Sequence, residues 1–155
     1  MQITNYLKKE CIHLEVPNGN KNDVIRELAH LLLRFHPEID VEEAITGLLE
    51  RESVLSTGIG GGVAIPHARL DSCRNICIAL GLLTKEIDFK SLDNKPVHLV
   101  FLILFPKNKV SLQLKTLAKL SRILLKEELT KKLLRAKTAE DVIGEFEAYE
   151  RKHQL

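Results

Sequence analysis

The sequence predicts an α/β sandwich, a small sheet covered by helices on both faces. Three observations carry that expectation. Two continuous apolar runs, Ile76–Leu83 and Leu99–Phe105, have strand length, and the second is bracketed by Pro96 and Pro106. Amphipathic helical patterns precede and follow them. With 155 residues, 45% apolar and 28% charged, the chain can bury roughly 70% of its surface and expose about 7,900 Å² as one domain. A single domain over residues 1–155 is therefore expected, without disulfide or metal staples.

The elements follow in order. Ile12, Leu14 and Val16 alternate with polar neighbours and predict a short first strand. Asn20 or Asn22 caps a helix whose inner face is Val24, Leu28, Leu31, Leu32 and Phe35, ending before Pro37 and carrying His30 and His36. Asp40 with Glu43 resembles a capping box. It opens a second helix that buries Val41, Ala44, Ile45, Leu48 and Leu49 and delivers Glu50, Arg51 and Glu52 at its C-terminal end. Val63–Ile65 is a brief β-branched stretch stopped by Pro66, and the two apolar runs come next as central strands. Beyond Pro106 the period becomes helical, with Val110, Leu114, Leu117 and Leu124 inward and a basic ridge of Lys115, Lys119, Arg122 and Lys126 outward. A shorter basic helix is expected near Leu129–Arg135. Thr138 with Asp141 starts a last helix that uses Val142, Ile143 and Phe146.

Composition excludes several classes of function. The N-terminus MQITNYLKKE has no apolar core of a secretory signal, and no apolar run approaches the ~18 residues of a membrane span. A cytoplasmic protein with no direct membrane insertion is expected. Cys11, Cys73 and Cys77 are an odd number at no zinc-like spacing and suit a reducing compartment as small buried hydrophobes; a reactive Cys73 or Cys77 is the alternative. The six histidines include no i, i+4 pair and no HExxH, so no metal site is expected. Net charge is only +2, yet residues 107–137 hold ten basic and two acidic groups. That ridge is either a solvated helix face or a docking surface for an acidic partner. Nucleic-acid binding has little behind it, since aromatics are 5% and no DNA-binding motif is present.

The chemistry concentrates in RESVLSTGIGGGVAIPHAR, Arg51 to Arg69. Gly58, Gly60, Gly61 and Gly62 fall within five residues. Such a loop can bring backbone N–H groups close to an anion, or can simply be a turn between helix and strand. It has neither the GK[ST] of a Walker loop nor the helix that follows a dinucleotide-binding fingerprint. His67 follows Pro66 at the end of the short strand. An imidazole with one nitrogen held by a backbone acceptor presents the other as a nucleophile near neutral pH. A phosphoryl group transferred to it needs donors and positive charge, which Arg51, Ser56, Thr57 and the amides of Gly58 and Gly60 can supply.

These residues resemble the active-histidine signature of the fructose/mannitol-type enzyme IIA domains of the bacterial phosphotransferase system, a family that includes the nitrogen-regulatory enzyme IIA proteins. The signature is carried by Thr57-Gly58-Ile59-Gly60 and Val63-Ala64-Ile65-Pro66-His67, by Glu50-Arg51 and Ser56-Thr57 upstream, and by Ile87-Asp88-Phe89, Asp93–Val97, Leu99–Phe105 and Pro106 downstream. The resemblance spans roughly residues 3–150. It implies a mixed, mainly five-stranded sheet with helices on both faces. It implies transient phosphorylation of His67 by the histidine phosphocarrier protein, Arg51 as support for the phosphohistidine, and no cofactor. Transfer would go on to a cysteine of a IIB domain, or the phosphate would switch binding to a regulated transporter or enzyme. Gln113 stands where many members carry a second histidine; it can donate an amide hydrogen bond but carries no charge and relays no proton. A binding module of the same fold that acts without phosphorylation is the alternative reading.

Overall fold

The computed structural model describes residues 1–153. A 3₁₀ turn at Ile3–Asn5 leads into β1 (Leu7–Val16), α1 (Lys21–Arg34) and α2 (Val41–Val54). The strands β2 (Gly58–Gly60), β3 (Val63–Ala64), β4 (His67–Leu70), β5 (Cys77–Ile87) and β6 (Val97–Pro106) follow, and α3 (Val110–Leu125), α4 (Glu127–Leu134) and α5 (Ala139–Lys152) close the chain. The six strands occupy five lanes in the order β1-β5-β6-β3-β2, with β4 also on β6. β3 and β4 lie in succession along the same edge of β6, both parallel to it, with Val63 opposite Leu99 and His67 opposite Ile103. Pro66 lies between them. It lacks the N–H that would continue the ladder, so one lane becomes two short strands. The β1–β5 pair is parallel and the β5–β6 and β2–β3 pairs are antiparallel, a mixed sheet as the resemblance implied.

β6 is the axis of the core. Its alternate side chains Val100, Leu102 and Leu104 face one apolar layer with Leu28, Leu32 and Leu48 of α1 and α2. Leu99, Phe101, Ile103 and Phe105 face the other layer, with Leu120 and Ile123 of α3, Leu129 of α4 and Phe146 of α5. Phe101 and Phe146 meet edge to face at 5.6 Å. Burial on both faces is why the run reads as unbroken hydrophobe, and each such side chain contributes roughly 1.5–3 kcal/mol. The exposed surface is 8186 Å², near the value expected for this mass.

Helix starts follow the local chemistry. Asn20, not Asn22, caps α1 in a reciprocal box with Asp23. Thr138 and Asp141 do the same for α5. At α2 only half the box forms. Asp40 accepts from Glu43 N, while the Glu43 carboxylate reaches across to Asp71 N, Ser72 N and the Ser72 hydroxyl, which holds it below the usual glutamate range. β1 is longer than the Ile12–Val16 alternation indicates, and α1 ends at Arg34, so His36 lies beyond the helix.

α3 is turned about its axis relative to the predicted phase. Val110 and Leu114, expected inward, are 45% and 63% exposed, and Lys119, expected outward, is only 9% exposed. The buried stripe is Thr116, Lys119, Leu120, Ile123 and Leu124, a regular i, i+3, i+4, i+7, i+8 face. Lys119 donates to the Met1 carbonyl and pairs with Glu150 at 3.3 Å; Glu150 also accepts from Ile3 N, Thr4 N and the Thr4 hydroxyl. That cluster ties the N-terminal turn to α3 and α5. Cys11, Cys73 and Cys77 are buried and free. Among the described residues no helix is long and apolar enough to cross a membrane, and no group of His, Cys, Asp and Glu could hold a metal ion.

Candidate functional site

His67 opens β4 instead of closing the strand before it. The register with β6 fixes its backbone, and Pro66 fixes the chain direction into it. Its side chain is buried, and Nδ1 lies 2.8 Å from the carbonyl of Ile65. A carbonyl only accepts, so Nδ1 carries the proton and the lone pair of the neutral ring sits on Nε2. Burial pushes the His67 pKa below the ordinary histidine value; Arg51 adds to the fall, while the Ile65 hydrogen bond and Glu52 oppose it. The result is a neutral, oriented imidazole with one free nitrogen, the form a nucleophile requires.

His67 lines a cavity of about 370 Å³ together with Arg51, Arg69, Lys107 and Gln113. Each arrives from a different place. Arg51 comes from the last turn of α2, where its guanidinium donates to the Leu55 carbonyl at 2.7 Å and closes the helix end. Gln113 comes from the first turn of α3, where its Oε1 is buried without a partner. Arg69 is two residues along β4 from His67. Lys107 follows β6, its backbone N–H bonded to the Leu70 carbonyl at 3.0 Å. The structure thus brings together His67, Arg51 and Gln113, three groups separated by up to 62 positions in sequence.

Ser56, Thr57, Gly58 and Gly60 do not line this cavity. The Ser56 hydroxyl donates to the Phe89 carbonyl and accepts from Gly58 N, and the Thr57 hydroxyl donates to Glu52. The glycine loop is the tight connection of the β2–β3 hairpin. Gly60, Gly61 and Gly62 all have positive φ, and a Cβ on Gly62 would meet the His98 ring at 2.2 Å. Gly58 N donates to the Ser56 hydroxyl and Gly61 N to the Asp93 carboxylate, each at 3.0 Å, so these two amides of the loop are already engaged. In this structure the loop serves as a turn.

Sequence reasoning gave Glu52 no role. It is buried, accepts from Thr57 N and the Thr57 hydroxyl, and pairs with Lys21 at 3.3 Å. It fixes the turn between α2 and β2, and with it the helix end that carries Arg51. One signal was available. A glutamate in the last turn of a helix opposes the macrodipole, so it needs another reason to be there.

Residues 5–149 match the family described as phosphoenolpyruvate-dependent sugar phosphotransferase system, EIIA 2. The chain is 38% identical over 143 residues to the fructose-specific EIIABC component of Bacillus subtilis, covering 92% of this chain and 22% of that larger protein. Its fold is similar to the nitrogen regulatory protein IIA-Ntr of Neisseria meningitidis, with a TM-score of 0.87 and 30% identity over 93% of this chain and 98% of that one. It is also similar in fold to a chain of the complex of mannitol enzyme IIA and phosphorylated enzyme IIB from Escherichia coli. There the TM-score is 0.77 and identity 18%, over 92% of this chain and 99% of that one. With nearly its whole length matched, the chain belongs to the EIIA 2 family of the phosphoenolpyruvate-dependent sugar phosphotransferase system.

Proposed function

We propose that this chain is a phosphocarrier in which His67 accepts a phosphoryl group from the histidine phosphocarrier protein and passes it on. The observation that carries the reading is the Nδ1–Ile65 hydrogen bond, which leaves Nε2 as the free nitrogen beside a cationic cavity. The Nε2 lone pair forms the new N–P bond as the donor's P–N bond breaks, and the donor imidazole leaves with the electron pair. The phosphorylated ring then shares positive charge with Nδ1–H, which strengthens the bond to Ile65 O. Arg51 faces the phosphoryl oxygens as a cation, and Gln113 as an amide donor. In the onward step a thiolate sulfur attacks phosphorus and His67 regains its starting tautomer, with no cofactor needed. A IIB cysteine is the proposed acceptor, in line with the IIA–IIB assembly of the mannitol relative. In the regulatory form of the same reading, the added charge of about −1.5 to −2 alters binding to a transporter or enzyme in the cytoplasm.

The test is intact mass after incubation with phosphoenolpyruvate, enzyme I and the histidine phosphocarrier protein. Wild type gains one acid-labile phosphoryl group and His67→Ala gains none. A wild type that stays unmodified with cognate donors would support the other reading, a binding module that works without phosphate.

A further inference from the structure

The cavity beside His67 is walled by three cations, Arg51, Arg69 and Lys107, and by no carboxylate. Two of the three have partners. Arg51 donates to the Leu55 carbonyl, and Lys107 Nζ lies 3.5 Å from the Asp71 carboxylate. Arg69 is held in β4 by its backbone, and its side chain makes no hydrogen bond or ion pair among the described residues. We propose that Arg69, with Lys107 beside it, is the second positive group that receives the phosphoryl oxygens on His67. The inference rests on the phosphocarrier reading and names a residue that the reading does not require.

Placement supports it. His67 and Arg69 are i and i+2 on β4, paired to Ile103 and Phe105 of β6, so their side chains leave the strand on the same side about 7 Å apart. That span is within reach of an extended arginine or lysine, whose positive charge lies close enough to offset the phosphoryl oxygens. Lys107 is rooted at the end of the same strand by its bond to Leu70 O. Charge supports it too. A phosphoryl group brings about −1.5 to −2 charges, more than one guanidinium neutralises, and Gln113 is uncharged. Arg69 also lines a neighbouring cleft with Glu42, Glu43 and Glu50 of α2. Glu43 is committed to Asp71 and Ser72, which leaves the exposed Glu42 and Glu50 as the carboxylates among the described residues of that cleft that compete for it. A phosphoryl dianion outcompetes two solvated carboxylates, so phosphorylation holds Arg69 on the His67 side.

The experiment reads the equilibrium partition of phosphoryl between the histidine phosphocarrier protein and wild type, Arg69→Lys and Arg69→Gln. An equilibrium does not depend on how well the donor docks. In low salt Arg69→Gln should shift the partition roughly tenfold toward the donor, Arg69→Lys should stay near wild type, and the gap should close at high salt because the charge is exposed. Equal partition for wild type and Arg69→Gln would overturn the proposal. So would equal losses in Arg69→Lys and Arg69→Gln, or a loss indifferent to salt, since either marks a structural effect. Thermal unfolding of each variant confirms that it is folded. A folded wild type that takes no phosphoryl group defeats the His67 reading itself and this inference with it, an outcome read in the wild-type arm alone.

Discussion

At the scale of single residues, the His67 imidazole holds its neutral form to a lower pH than an ordinary histidine. Burial first, then Arg51, hold His67 below the ordinary histidine pKa. The unfolded chain therefore binds the proton more readily than the native state. The stability that His67 contributes is intact above the unfolded value of about 6.5 and is lost as pH falls from there through the folded value. An NMR titration should place the His67 imidazole below the ordinary histidine value, and phosphoryl acceptance should fall off at a lower pH than the titration of an ordinary histidine would give. Glu52 supplies a second prediction. Glu52→Ala removes the acceptor of two buried Thr57 donors and the partner of Lys21, at a cost of about 2–4 kcal/mol in urea unfolding. His67, Arg51 and Gln113, named from the resemblance, line one cavity in the structure. The hydroxyls of Ser56 and Thr57 donate to the Phe89 carbonyl and to Glu52 in this structure, partners that the sequence does not show until the turn around them is known. The same blindness hid Glu52, which acts through Thr57.

Elements were legible where burial is simple. β5 and β6 announce themselves as apolar runs, and the caps at Asn20, Asp40 and Thr138 are written in single residues. α3 was misread because its inner face contains a threonine and a lysine, while its first turn, at the mouth of the His67 cavity, exposes Val110 and Leu114. Apolar periodicity cannot see a lysine that is buried because Glu150 faces it. Lys119→Ala leaves that carboxylate without its cation and should cost about 3 kcal/mol, a fall of roughly 6–12 °C in melting temperature. The β2–β3 hairpin makes a matching prediction. Gly62→Ala forces a side chain into positive φ and against His98, and should lower stability by about 1–3 kcal/mol in the same assay.

At the scale of the whole molecule, a sheet buried on both faces holds one strand start, His67, at the foot of a cavity assembled from α2, β4, the end of β6 and α3. The basic segment 107–137 is split by this architecture. Lys107 turns to the cavity and Lys119 to the core, which leaves Lys115, Arg122 and Lys126 as the exposed part of the ridge. The regional charge was visible in sequence, but its distribution among cavity, core and solvent depends on helix phase. The family was legible from the Pro66-His67 signature, whereas the break of one lane into β3 and β4 appears only in the pairing with β6. In the proposed transfer the Ile65 carbonyl selects the reactive nitrogen. The most direct measurement is ¹⁵N and ³¹P NMR of the protein with labelled histidine, before and after phosphorylation. An Nδ1–H tautomer at His67 is expected in the free protein, and a phosphorus bonded to Nε2 afterwards. Phosphorus on Nδ1, or on any other residue, would contradict it.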